Sequence, residues 1–194
     1  MSWVLLRGLT REARHWGNFA DQLASALPGS PLETTCVVTL DLPGNGVFHK
    51  EASPPSVAAM ADFARTQLLA RGLPPPYRIV AMSLGGMVAA DWALRYSHEV
   101  DRLVLINTSM RPLGSVTERL RPGNWLPLAM AAARWGDAPY VERTIHRLTC
   151  NRASQHDADI AAWTHIRQDT PVSAANARRQ LQAAAAFAMT APPP

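Results

Sequence analysis

Short apolar runs alternate with helical stretches over the first half of the chain. Trp3 to Leu6 is the first run, long enough only for a strand, and a polar loop from Arg7 to Arg14 follows it. Apolar residues at Trp16, Phe19, Ala20, Leu23 and Leu27 then recur at helical spacing, and Pro28-Gly29 closes that helix. The β-branched run within Cys36 to Leu40 predicts a second strand, stopped by the turn cluster Asp41-Leu42-Pro43-Gly44-Asn45-Gly46. A helix from about Val57 to Arg71 places Met60, Phe63, Ala64 and Leu68 on one face and ends at Gly72, a good C-cap. Pro74, Pro75 and Pro76 lead into a third strand at Tyr77. A helix after Ser83 then runs to about Tyr96, and Leu103 to Ile106 is a fourth strand. Near-continuous apolar strands between helices mean a parallel sheet covered on both faces, a doubly wound α/β layer.

The alternation stops after Asn107. Alanine-rich helical segments follow, the first opened by a capping box of Ser115 and Glu118. Others are expected over about Trp125 to Arg134, Pro139 to Leu148, Ser154 to Arg167 and Ser173 to Met189. The predicted organisation is therefore an α/β core over 1–109 and an all-helical cap over 110–189. Residues 190–194 repeat the proline-rich lead-in seen before the third strand, as if another strand were to follow.

Composition narrows the function. The 194 residues are 47% hydrophobic, enough to bury a sizeable core in one domain. The net charge of +4 arises entirely beyond residue 107. There, ten arginines interspersed along helices read as a solvated face and not as a stripe for nucleic acid. No run reaches the roughly 18 apolar residues of a membrane span, and the start of the chain lacks a signal-peptide pattern, so a cytoplasmic setting is the expectation. Cys36 and Cys150 suggest neither a disulfide framework nor a metal site, and no cofactor is implied.

The candidate chemistry lies in Ala81-Met82-Ser83-Leu84-Gly85-Gly86, where a strand ends on a serine and restarts at once as a helix. So tight a turn lifts the serine hydroxyl clear of the sheet, and only small neighbours permit it. Serine is a poor nucleophile until a base takes its proton, and the acyl transition state needs donors aimed at the oxyanion. The backbone N–H of Leu84, at a helix N-terminus, supplies one donor. The N–H of Leu9, in the Arg7-Gly8-Leu9 loop after the first strand, is expected to supply the second. Arg7, Gly8, His15 and Trp125 are candidate substrate contacts. Trp125, Trp135 and Trp163 are candidates for an acyl pocket, with two of the three expected to pack inside the cap.

With A-x-S-x-G at Ser83, D-x-P-G-x-G at Asp41 to Gly46 and the Arg7-Gly8 loop, the chain resembles the α/β-hydrolase fold family, especially its small esterase-like members. The resemblance covers about Trp3 to Asn107 and extends beyond it only as a generic cap. It departs from the family where the first loop commonly reads His-Gly. It implies a serine hydrolase that acts on a carboxylic ester or thioester through an acyl-enzyme at Ser83. It also implies a catalytic acid and a histidine on later strands, for which this sequence offers no place. The acid position used by some members is occupied by Asn107, and His15, His49, His98, His146, His156 and His165 read as surface residues. The rest of the domain is therefore expected to exist as a separate polypeptide, to have been removed, or to be replaced by another subunit. The alternative is a catalytically silent module of this fold that binds a ligand or partner.

Overall fold

The computed structural model describes residues 1–27, 36–151 and 156–189. Four strands form one parallel sheet in the order β2-β1-β3-β4: β1 (Ser2–Leu6), β2 (Cys36–Leu40), β3 (Tyr77–Met82) and β4 (Val100–Ile106). The connecting helices are α1 (Phe19–Ala26), α2 (Val57–Ala70) and α3 (Leu84–Arg95). Side-chain alternation along the strands divides the core in two. Val4, Leu6, Ile79 and Ala81 pack against Met60, Ala64 and Leu68 of α2 and Val88 and Trp92 of α3. Leu5 and Val80 face the other way, toward Trp16, Phe19 and Leu23. The sheet is thus doubly wound, and its switch point falls between β1 and β3, where ligands of such sheets bind beyond the carboxyl ends of the strands.

The expected first helix is interrupted. Residues Ala13–Trp16 form a separate 3-10 turn, and Gly17 at φ 55° turns the chain before α1 begins. Trp16 nevertheless stacks on Phe19, with ring centres 5.3 Å apart. The break lets Trp16 cap the sheet instead of following the helix axis. The predicted closure at Pro28-Gly29 lies outside the described residues. At the end of α2, Gly72 adopts φ 70° and Leu73 N–H reaches back to Leu68 O, the hydrogen-bond pattern of a Schellman cap.

Among the described residues, five α-helices follow β4: α4 (Val116–Arg119), α5 (Trp125–Ala133), α6 (Ala138–Thr149), α7 (His156–Asp169) and α8 (Ala174–Ala186). Ser115 and Glu118 form the expected capping box at α4. The expected first residues of α7, Ser154 and Gln155, and the expected strand lead-in at 190–194 lie outside the described residues. α8 returns to the core and docks through buried amides: Gln180 bridges Thr10, Asn45 and Ser53, while Asn176 holds Ser53 N–H and Glu51 O. Strand β4 lies at one edge of the sheet with Val104 44% and Leu105 36% exposed, an open apolar edge of the kind that proteins normally cover.

Candidate active site

Ser83 sits between β3 and α3 with φ 54° and ψ −118°, a conformation that L-residues rarely adopt. Its N–H is anchored to Ile106 O at 3.0 Å, so β4 holds the bend from one side. Three glycines let other chain segments close in on the bend. A Cβ on Gly8 would lie 3.0 Å from the Ser83 Cβ and 3.5 Å from its Oγ. A Cβ on Gly85 would meet Arg7 O at 2.5 Å and Leu6 O at 2.7 Å, and one on Gly86 would strike Thr108. The backbone of the first loop thus lies directly against Ser83, at the carboxyl end of β3.

That loop is held from several directions. Arg11 N–H donates to Gly8 O at 3.1 Å, closing a turn over Leu9 and Thr10, and Thr10 takes φ 56°. Thr10 N–H is fixed by Gln180 Oε1 at 2.8 Å. Ala13 N–H and Val47 N–H donate to the two carboxylate oxygens of Asp41, tying the loop to the Asp41 to Gly46 turn. Burial pushes the Asp41 pKa up, against those two hydrogen bonds. Among the described residues neither Leu9 N–H nor Leu84 N–H meets an acceptor.

Charged side chains gather around the same loop. Glu142 of α6 is fully buried and accepts from Arg11 at 2.5 Å and from Arg167 of α7 at 3.4 Å. His15 is buried beside them, with Glu12 N–H on Nδ1 and an Arg11 guanidinium nitrogen 2.9 Å from Nε2. Burial, then the charges of Arg11 and Arg7, take its pKa down to about 2. Both ring nitrogens face N–H donors, of which a neutral ring can accept only one; a second ring proton would leave no acceptor at all, so burial and the neighbouring guanidinium charges keep the imidazole neutral.

The sign of the resulting pH effect follows by linkage. The unfolded chain protonates His15 near its ordinary value of about 6.5 and the folded chain does not, so stability falls as pH drops below that value. From pH 6.5 to 4.5 this one group is expected to remove about 2–3 kcal/mol. Urea unfolding of His15→Asn against the parent across that range measures it, and an unchanged acid limb in the variant would refute the assignment.

A sequence model of the alpha/beta hydrolase fold matches residues 4–187, from β1 through α8. The chain belongs to the alpha/beta hydrolase fold family. Among curated proteins it is 37% identical over 108 residues to a pimeloyl-[acyl-carrier protein] methyl ester esterase of Chromobacterium violaceum, covering 56% of this chain and 37% of that one. The chain therefore spans little more than a third of that relative's length. Among solved structures, Cfl2 from Burkholderia cenocepacia aligns with a TM-score of 0.69 at 20% identity, over 95% of this chain and 65% of that one. A thioesterase from the prodiginine biosynthetic pathway of Streptomyces coelicolor aligns at 0.62 and 18% identity, over all of this chain and 63% of that one. At these identities the structural likeness speaks for the fold.

Against this alpha/beta hydrolase framework, Arg7, Gly8, Leu9, Ser83 and Leu84 come together at the carboxyl ends of β1 and β3. His15 lies on the same loop, locked under α6 and α7. Trp125 stands apart, 46% exposed on α5, its indole N–H on Leu120 O within the helical segment. The other two acyl-pocket candidates, Trp135 and Trp163, are half-buried and pack against Arg167 and against Arg11, His15 and His146. Sequence reasoning missed Glu142, Arg167, Asn176 and Gln180, all buried polar residues on helices. It also placed His15 and His146 on the surface, whereas both are buried. The available signal was faint: Glu142 and His146 share the α6 face with Val141, a polar pair on an apolar stripe.

Proposed function

We propose that this chain carries the nucleophile and oxyanion donors of a serine hydrolase that acts on a carboxylic ester or thioester through an acyl-enzyme at Ser83. The observation that carries the reading is the backbone of Ser83 at φ 54° with Gly8 against its hydroxyl. In the reaction the hydroxyl loses its proton to a base and Oγ attacks the acyl carbon. The N–H groups of Leu9 and Leu84 hold the oxyanion, the base returns the proton to the departing alcohol or thiol, and water then cleaves the acyl-enzyme by the same route to release the acid and free Ser83. Residues 110–189 serve as the cap over this centre. The general base and its acid come with a polypeptide segment that pairs along the open edge of β4, in a cytoplasmic setting.

The alternative is a catalytically silent binding module of the same fold. It has one observation in its favour: among the described residues no histidine or carboxylate hydrogen-bonds the Ser83 hydroxyl. A fluorophosphonate probe separates the two. Covalent labelling located at Ser83 by peptide mass and lost in Ser83→Ala supports the hydrolase. With the base absent, labelling is expected to be slower by a factor of about 10⁴ or more than in a complete triad, so the incubation runs to hours. A folded chain that takes up no label over that time favours the silent module.

A further inference from the structure

The loop that carries Leu9 is bent into a conformation that its own residues do not favour. Arg11 N–H closes the turn on Gly8 O, and the third residue of that turn, Thr10, stands at φ 56°. A turn with positive φ at this place ordinarily takes glycine or asparagine, and a β-branched side chain is among the least suited to it. Left to itself, Leu9-Thr10 would settle into the type I form, in which the peptide between them is turned over and Thr10 N–H points the opposite way. Strain of this kind persists only where the surroundings fix it, so the hold on that peptide comes from outside the loop.

Gln180 of α8 supplies it. Its Oε1 accepts from Thr10 N–H at 2.8 Å, and the residue is 1% exposed. A backbone N–H can only donate, so it decides which end of the amide faces it, and Nε2 is left for Asn45 Oδ1 at 3.1 Å and Ser53 Oγ at 3.0 Å. Ser53 Oγ in turn donates to Pro43 O at 2.8 Å. Gln180 is thereby braced on the connection between β2 and α2 while its oxygen reaches the loop. Asn176, one turn earlier on the same helix, docks on that connection through Ser53 N–H and Glu51 O, neither of which involves Thr10. The two amides seat α8 together, and Gln180 also extends to the backbone that lies against Ser83.

We propose that Gln180 is a positioning residue for the oxyanion site: its Oε1 sets the turn at Leu9-Thr10, and with it the reactivity of Ser83. This rests on the acyl-transfer reading, in which Leu9 N–H is one of the two oxyanion donors. Leu9 N–H belongs to the peptide just before the one that Gln180 holds. Without that hold the turn exchanges between its two forms, and a donor that must be aimed before the reaction begins loses its fixed direction. Gln180 acts through the backbone of the loop, and α8, far beyond the serine in the chain, thereby belongs to the site.

Two substitutions separate the acceptor from the docking. Gln180→Met keeps the length and removes the acceptor. Gln180→Glu keeps the acceptor, and Asn45, whose Nδ2 is buried without a partner among the described residues, can turn its amide to donate to it. Both lose the donation from Nε2. Fluorophosphonate labelling of Ser83 is expected to slow about tenfold to a hundredfold in Gln180→Met and to stay within about threefold of the parent in Gln180→Glu and in Asn176→Ala. In a Thr10→Gly background, where glycine takes the positive φ unaided, Gln180→Met is expected to have little effect. NMR reads the turn without any chemistry: the strong HN–Hα cross-peak within Thr10 that marks a positive φ is expected in the parent, Gln180→Glu and Asn176→Ala, and is expected to be lost in Gln180→Met. Circular dichroism certifies each fold, and Gln180→Asn, an amide one methylene short of Thr10, repeats the comparison where methionine does not fold. Labelling of Gln180→Met at the parent rate, equal slowing in all three variants, or a cross-peak that survives Gln180→Met overturns the proposal. A parent that takes up no label refutes the acyl-transfer reading, and the cross-peak still decides whether Gln180 sets the turn.

Discussion

Glu142→Ala is expected to lower the unfolding free energy by about 3–5 kcal/mol, because it strands Arg11 and Arg167 in a buried site without a counter-ion. For a chain of this size that is a fall in Tm on the order of 10 °C. The loss should come from charge and not from lost volume, and two variants separate the causes. Glu142→Gln keeps the shape and is expected to lose nearly as much, since an amide offers one acceptor and no charge. The triple change Arg11→Met, Glu142→Leu, Arg167→Met removes every charge together and should recover most of the loss, as apolar replacements of buried ion clusters often do. Urea unfolding monitored by tryptophan fluorescence reads all three. A loss under about 1 kcal/mol in Glu142→Ala would mean that water already solvates this cluster, and the description of it as buried would be wrong.

Gly85→Ala carries the second large expectation. A methyl group there would sit 2.7 Å from Leu6 O, at the end of a strand whose register is fixed by pairing with Leu40 and Ala81, and 2.5 Å from Arg7 O one residue beyond it. Alanine gains up to about 1 kcal/mol of helix propensity over glycine, and overpacking costs about 1–3 kcal/mol or more. Here the overlap wins, because both obstacles are backbone atoms, one at the end of β1 and one directly after it, that cannot swing aside as a side chain can. The expected result is a net loss of about 2 kcal/mol, and α3 displaced from β1 together with Ser83 and Leu84. Labelling at Ser83 should therefore fail even in molecules that remain folded.

Gly86→Ala is the useful contrast. Its added methyl meets the Thr108 side chain, so pairing it with Thr108→Ala should restore part of the stability, whereas no side-chain truncation can rescue Gly85→Ala. If Gly85→Ala is as stable as the parent and still labels, β1 and the start of its loop do not lie against the turn at Ser83.

The two expectations differ in how far the sequence foretold them. The glycines that follow Ser83 stand next to it in the chain, so their role is legible there: a strand that turns directly into a helix leaves room only for hydrogen at those positions. The charged cluster was not legible, because Arg11, Glu142 and Arg167 come from three distant segments, and each read alone is a polar residue on a loop or a solvated helix face. Trp16 shows the intermediate case. Its spacing from Phe19 suggested one continuous helix, yet Gly17 adopts a positive φ and the indole closes over the sheet from a separate turn.

What the sequence determined by itself is local in origin. Apolar runs of strand length separated by helical periods require a parallel sheet buried on both faces, and a serine wedged between strand and small residues is placed at its carboxyl edge by backbone sterics alone. Only the tertiary structure decided which polar side chains leave water. Gln180 reaches Thr10 across 170 positions of the chain, and Glu142 reaches Arg11 across 131. Desolvation depends on what packs overhead, and a hydropathy pattern carries no record of a partner so far away.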